Sequence, residues 1–156
     1  MSITIHKDGI GLRGDYQPLI HYGNDWKEVS SLCINSNRLY VAHQGGVEQV
    51  SLVSFRMERV ISAGGEECAM PHTLAPYGDG FVVSDPEKHC VLKWSSCEKR
   101  VDAFAGDGTA GNNDGIATKC RFFQPLGICS EFNNVRSEEH TSESSHEFVS
   151  RMPSSA

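Results

Sequence analysis

Apolar residues along this chain come in short runs, broken every few positions by Gly, Asn, Asp, Ser or Pro, which is the pattern of strands joined by tight turns. A strand is expected near Val29–Asn35, then a turn at Ser36-Asn37, a strand over Arg38–His43, a turn at Gly45-Gly46 and a strand over Val47–Phe55. The order then repeats. Met57–Ala63 leads through a loop at Gly64–Glu67 to an inner strand near His72–Pro76, and the next round is read as starting at Met57. A turn over Tyr77–Gly80, strand Phe81–Ser84, a turn over Asp85–Lys88 and strand His89–Trp94 follow, and a third round opens at Arg100–Phe104. Upstream, Pro18–Gly23 is similar to the strand ending in Ile61–Gly64 and reads as an outermost strand. Met1–Gln17 holds one alternating run, Ile3-Thr4-Ile5, and no clear register. No stretch has the spacing of an amphipathic helix.

The repetition has a measurable period. Arg38–Ala42 precedes Gly80–Ser84 by 42 residues, and the same offset carries Val29–Cys33 onto Pro71–Ala75 and Ile61–Gly64 onto Ala103–Gly106. One register thus fits three segments. A period of about 40–45 residues is that of β-propeller blades. After Gly106 a Gly/Asn-rich insertion of about a dozen residues lengthens the spacing, and the pattern returns at Gln124–Cys129.

Particular residues mark this stretch: Phe81, Val83 and Asp85 with Val91; Phe104, Gly106 and Gly108; Asp114 and Gly115; and Phe122, Pro125, Gly127 and Ile128. In this order and spacing the chain from Phe81 to Val135 resembles NHL repeats, and the resemblance reaches back to about Leu19. It departs from the family at His43-Gln44-Gly45-Gly46, where an acidic residue and a short polar turn are more usual. The resemblance implies an all-β fold, an incomplete NHL-type β-propeller of about two and a half blades over residues 18–135. A segment of unclear register, 1–17, precedes it, and a disordered tail, 136–156, follows.

Length and composition fit this picture. A closed propeller needs at least about four blades, more than 156 residues supply, so the chain is expected to be a piece of a longer protein. With 38% hydrophobic residues, 15 glycines and 22% charged residues, the sequence suits a turn-rich β-fold better than a disordered one. No apolar run reaches the length of a membrane span. The first residues lack the apolar core of a secretory signal, so either the protein is intracellular or its true start lies upstream.

From Arg136 the composition turns to Ser, Glu and His. Arg136–Glu143, and in a shifted frame Ser144–His146 and Ser150–Ala156, resemble the translation of a short-read sequencing adapter. Glu147-Phe148-Val149 stands where a sample index would be read. These residues carry no function in this reading. Without them, two Arg and four Glu are lost and the formal charge moves from −6 to −4. That mildly acidic balance, with no Lys/Arg cluster beyond Lys99-Arg100, argues against a nucleic-acid partner.

Chemical motifs are few. Cys33, Ala75 and Cys129 share one repeat position, which is explained by a small buried residue, and the other cysteines have no metal-ligand spacing, so free thiols are expected. Asp107–Gly115 fits neither a calcium loop nor a phosphate cradle, and reads as glycine-permitted turns. His43, His72, Asp85 and His89 lie at strand ends, where some propeller enzymes hold metals, yet no nucleophile motif accompanies them. No catalytic residue, cofactor or metal is therefore assigned. Two functions stay open: a non-catalytic scaffold for a protein partner, as in tripartite-motif ubiquitin ligases, or a hydrolase or lyase whose channel metal has its other ligands in further blades. Because blades cover one another's faces, residues 1–135 expressed alone are expected to aggregate or to stay partly molten. A monomeric fragment with a sharply cooperative unfolding transition would contradict this.

Overall fold

The structure, a computed structural model, describes residues 3–6, 9–12, 26–131 and 134–139. It is all-β. A hairpin of β1 (Ile3–His6) and β2 (Gly9–Leu12) forms one sheet within residues 1–17. Sheet one contains β3 (Ser31–Asn35), β4 (Arg38–His43), β5 (Gly46–Ser51) and β6 (Met57–Ser62) in that order. Sheet two repeats it with β7 (Leu74–Tyr77), β8 (Gly80–Asp85), β9 (Cys90–Ser95) and β10 (Arg100–Ala105). A third sheet pairs β11 (Pro125–Glu131) with β12 (Asn134–Glu139). All pairings are antiparallel, β3 lies against β7 and β7 against β11, and the described sheets form no closed barrel: the architecture is that of an incomplete propeller.

Several boundaries differ from the sequence reading. Strand Met57–Ser62 completes sheet one instead of opening the next unit, and Arg100–Ala105 likewise completes sheet two. The strand expected over Val47–Phe55 stops at Ser51, because the Ser51 carbonyl and hydroxyl capture the next N–H groups into a turn. β12 runs across the expected tail boundary at Val135, with Arg136 opposite Cys129, since a backbone ladder makes little demand on side chains. The expected strand at Pro18–Gly23 and the remainder of the tail lie outside the described residues.

The repeat register is also corrected by two residues. His43 pairs with Gly46 across two turn residues, whereas Asp85 pairs with Cys90 across four. The offset is therefore 42 before this turn and 44 after it, and Ile61 corresponds to Ala105, not Ala103. With that shift the two sheets match in detail: the ladder is bulged at Val60 in one and at Phe104 in the other.

Alternation within each strand builds two cores between the sheets, and Leu39, Val41 and Val50 form a third with Trp26 and Leu52 on the far face of sheet one. Cys33, Tyr40, Ala42, Val47 and Ile61 of sheet one meet Leu74, Phe81, Val83, Leu92 and Trp94 of sheet two, with the Tyr40 and Phe81 rings 4.7 Å apart. The opposite face of sheet two, Ala75, Val82, Val91 and Ala105, packs on Phe122, Cys120, Ile128 and Val135. Sheet two is thus apolar on both sides, and every residue of β8 is buried.

Glycine is required where β5 begins. Gly46 has φ +139, and a Cβ there would run into the Ile61 carbonyl of β6, while Gly64 at φ +74 faces open space. Gly46→Ala should speed hydrogen exchange at the β5 and β6 amides by about tenfold or more, well beyond the effect of Gly64→Ala. Equal protection in the two variants would remove this role for Gly46.

Candidate interaction surface

The residues that carry the repeat resemblance are distributed through the cores and their loops. Phe81 and Val83 belong to the first core, and Val91, Phe122 and Ile128 to the second, where Phe104 packs edge-on to Tyr77 at 5.0 Å. Pro125 is buried at the start of β11, followed by Gly127. Gly106 and Gly108 have φ +90 and +81 at the start of the long loop. Gly115 lies against the Lys119 and Cys120 backbone, where a Cβ would come within 2.9 Å, and Asp114 is exposed. Asp85 is fully buried and accepts hydrogen bonds from the N–H groups of Ala69 (2.6 Å), Met70 (3.3 Å) and Lys88 (3.1 Å), so it pins the loop that leads into β7.

The other strand-end polar residues also brace the sheets. His72 Nδ1 lies 3.0 Å from Thr73 Oγ1 and 3.3 Å from the Leu126 carbonyl, which also accepts the Ser84 hydroxyl at 3.1 Å. His89 Nδ1 accepts the Gln124 N–H, and its ring stacks on Phe123. In the long loop, Asp107 accepts the Thr109 N–H (2.8 Å) and Arg121 Nε (2.7 Å), and the Arg121 guanidinium holds its carboxyl below the usual range. No group of three or more His, Cys, Asp or Glu among the described residues is arranged to hold a metal. No helix of the described residues is long and apolar enough to cross a membrane.

His43, Glu48 and Arg59 form a separate cluster on the face of sheet one turned away from sheet two. Arg59 donates to the buried Glu48 Oε1 at 2.8 Å, and His43 Nε2 stands 3.7 Å from the same oxygen. The Gly45 N–H donates to His43 Nδ1, which places the imidazole proton on Nε2. Burial, opposed by the Glu48 carboxylate, holds the His43 pKa below its ordinary value.

All six cysteines are free, and four are buried. Burial pushes the thiol of Cys33 up to about 12 and that of Cys90 to about 11. Cys129, expected to be buried like Cys33 and Ala75, is exposed. Its face of β11 is the one that follows the third sheet, and no described sheet packs on it.

Exposed apolar residues mark the remaining surface. Leu32 corresponds to Leu74 and Ile128, which pack on the preceding sheet; Leu32 is 41% exposed where Leu74 is 5% exposed. Val53 and Phe55, 76% and 41% exposed, stand on the β5–β6 turn. Sequence reading placed both inside a strand, although the shared Ser and Arg ends of Ser51–Arg56 and Ser95–Arg100 already mark two copies of one turn. Searches against protein-family models and curated proteins find no match to the chain.

The His43 cluster gives a pH dependence. Below about pH 6.5 an unfolded chain takes up a proton that buried His43 resists, so its contribution is complete above that pH and is lost as pH falls. Amide protection in β4 and β5, corrected for intrinsic exchange, should therefore drop between about pH 7 and pH 5, and less so in His43→Gln. The same pH dependence in both proteins would exclude His43 as its source.

Proposed function

We propose that this chain is part of an NHL-type propeller that acts as a non-catalytic scaffold for a protein partner. The reading rests on how the polar side chains are used. Of His72, Asp85 and His89, which in an enzyme would be the first candidates for channel ligands, Asp85 spends its carboxylate, and the two histidines their Nδ1 atoms, on joining loops and strands. Apolar side chains, in contrast, stand in solvent on an ordered turn. A contiguous exposed apolar group is a feature of protein-binding surfaces. The acidic balance of the chain favours a protein over a nucleic acid. A multidomain parent, such as a ubiquitin ligase, would use the propeller to select what it binds.

Long-read sequencing of the source transcript across the Val135 codon tests this reading. The expected reading frame continues into further repeats without His, Asp or Glu convergent on a central channel. Added blades that bring such ligands together would favour the hydrolase or lyase instead.

A further inference from the structure

Each four-stranded sheet is entered through a short segment tied to the end of its second strand. The Ser30 N–H donates to the Ala42 carbonyl and, 42 residues on, the His72 N–H donates to the Ser84 carbonyl, both at 2.9 Å. Trp26 packs on the far core of sheet one, and its counterpart Cys68 is buried in the core between the sheets. Equivalent residues, His43 and Asp85, end the two strands. They hold their surroundings by different chemistry.

Two carboxylate oxygens let Asp85 serve both sides at once: Ala69 and Met70 of the entry segment and Lys88 of the following turn all donate their N–H groups to it. His43 has one acceptor, Nδ1, and spends it on the Gly45 N–H at 3.1 Å. Towards the entry segment it turns a ring face, stacked on Trp26 with the centroids 6.2 Å apart. The turn it holds is itself bonded to that segment, from the Gln44 N–H to the Lys27 carbonyl (3.1 Å), and to the residue after β6, from the Ala63 N–H to the Gly45 carbonyl (3.1 Å).

An imidazole accepts the Gly45 N–H only while neutral. In imidazolium both nitrogens carry hydrogen, so two donors would face each other across this contact. Nothing at hand replaces the lost bond among the described residues: His43 is 1% exposed, and its Nε2 has no hydrogen-bond partner, Glu48 Oε1 standing 3.7 Å away and already bonded to Arg59. Of the charged groups around the ring, Glu48 of β5 favours a proton there and Arg59 of β6 opposes it, while Lys27 and Glu28 of the entry segment are exposed. Burial outweighs Glu48 and keeps the folded ring neutral until the pH falls below the ordinary histidine value of about 6.5.

We propose that His43 is an acid-sensitive latch: proton uptake from solvent at Nδ1 drives the ring and Gly45 apart and releases residues 26–30 from sheet one, loosening the cover over Leu39, Val41 and Val50, while sheet two stays closed under Asp85. This device is independent of what the propeller binds.

Hydrogen exchange of the full chain, read by mass spectrometry and corrected for intrinsic rates, tests it together with fluorine NMR of the fluorotryptophan-labelled chain, in which Trp26→Phe assigns the two signals. From about pH 7 to pH 5, protection of residues 26–30 and 44–46 should fall at least about fivefold, and that of residues 66–72 and 86–89 by less than about twofold. The Trp26 signal should move along the same titration curve while that of Trp94 stays. His43→Asn, whose amide oxygen accepts the Gly45 N–H at either pH, should abolish both changes. His43→Asp, which copies sheet two, serves if the Asn variant loses protection in β4 and β5 at neutral pH. Changes that persist in the variant would overturn His43 as the latch. Unaltered protection of residues 26–30 in the parent would overturn the release, and an equal loss in residues 66–72 would overturn it in favour of general unfolding.

Discussion

The contact between sheets one and two is the constraint on which the rest of the structure depends. Four strands cannot form a stable layer in water unless at least one face is covered, and sheet two is apolar on both. Its first face is covered by Tyr40, Val47 and Ile61, and its second by Phe122 and Ile128. Each fully buried side chain of this kind contributes about 1.5–3 kcal/mol relative to exposure. The Tyr40–Phe81 pair at the centre also fixes how the sheets are set against each other, because both rings are completely buried.

Polar side chains then determine registry between layers. Asn35 Nδ2 donates to the carbonyls of Gly78 and Gly80, the Ser31 hydroxyl accepts the Leu74 N–H, and the Ser130 hydroxyl reaches Pro76 across the next interface. Apolar contact alone is non-directional and would tolerate sliding. Hydrogen bonds of fixed length do not, and an unpaired buried partner would cost about 1–3 kcal/mol. This is why strand-end residues that resemble catalytic groups in the sequence serve as braces in the fold.

The strands around Ser36-Asn37 and Gly78-Asp79 were legible in the sequence because the turn residues announce themselves; Ser36 and Asn37 both take positive φ, as a two-residue hairpin demands. The sheet to which Met57–Ser62 and Arg100–Ala105 belong was not, since alternation reveals a strand but not its hydrogen-bonded neighbour. The register slipped by two residues because the Pro86–His89 turn is longer than Gln44-Gly45, and no hydrophobic period registers that difference. Cys129 was misplaced for a related reason: repeat position predicts burial only where another layer follows. The β5–β6 turn was missed because Leu52, Val53 and Phe55 have strand-forming side chains, and only the serine beneath them ends the strand.

That serine has a wider consequence. In both copies the first residue and backbone groups hold the turn, with Asp79 added in sheet two, and of the four residues between Ser51 and Arg56 Leu52 packs on the core while Val53, Ser54 and Phe55 are exposed. Selection can rewrite such a tip at little cost to folding. A repeat protein built from these units can vary the tip of such a turn in one sheet without disturbing the packing of its neighbours.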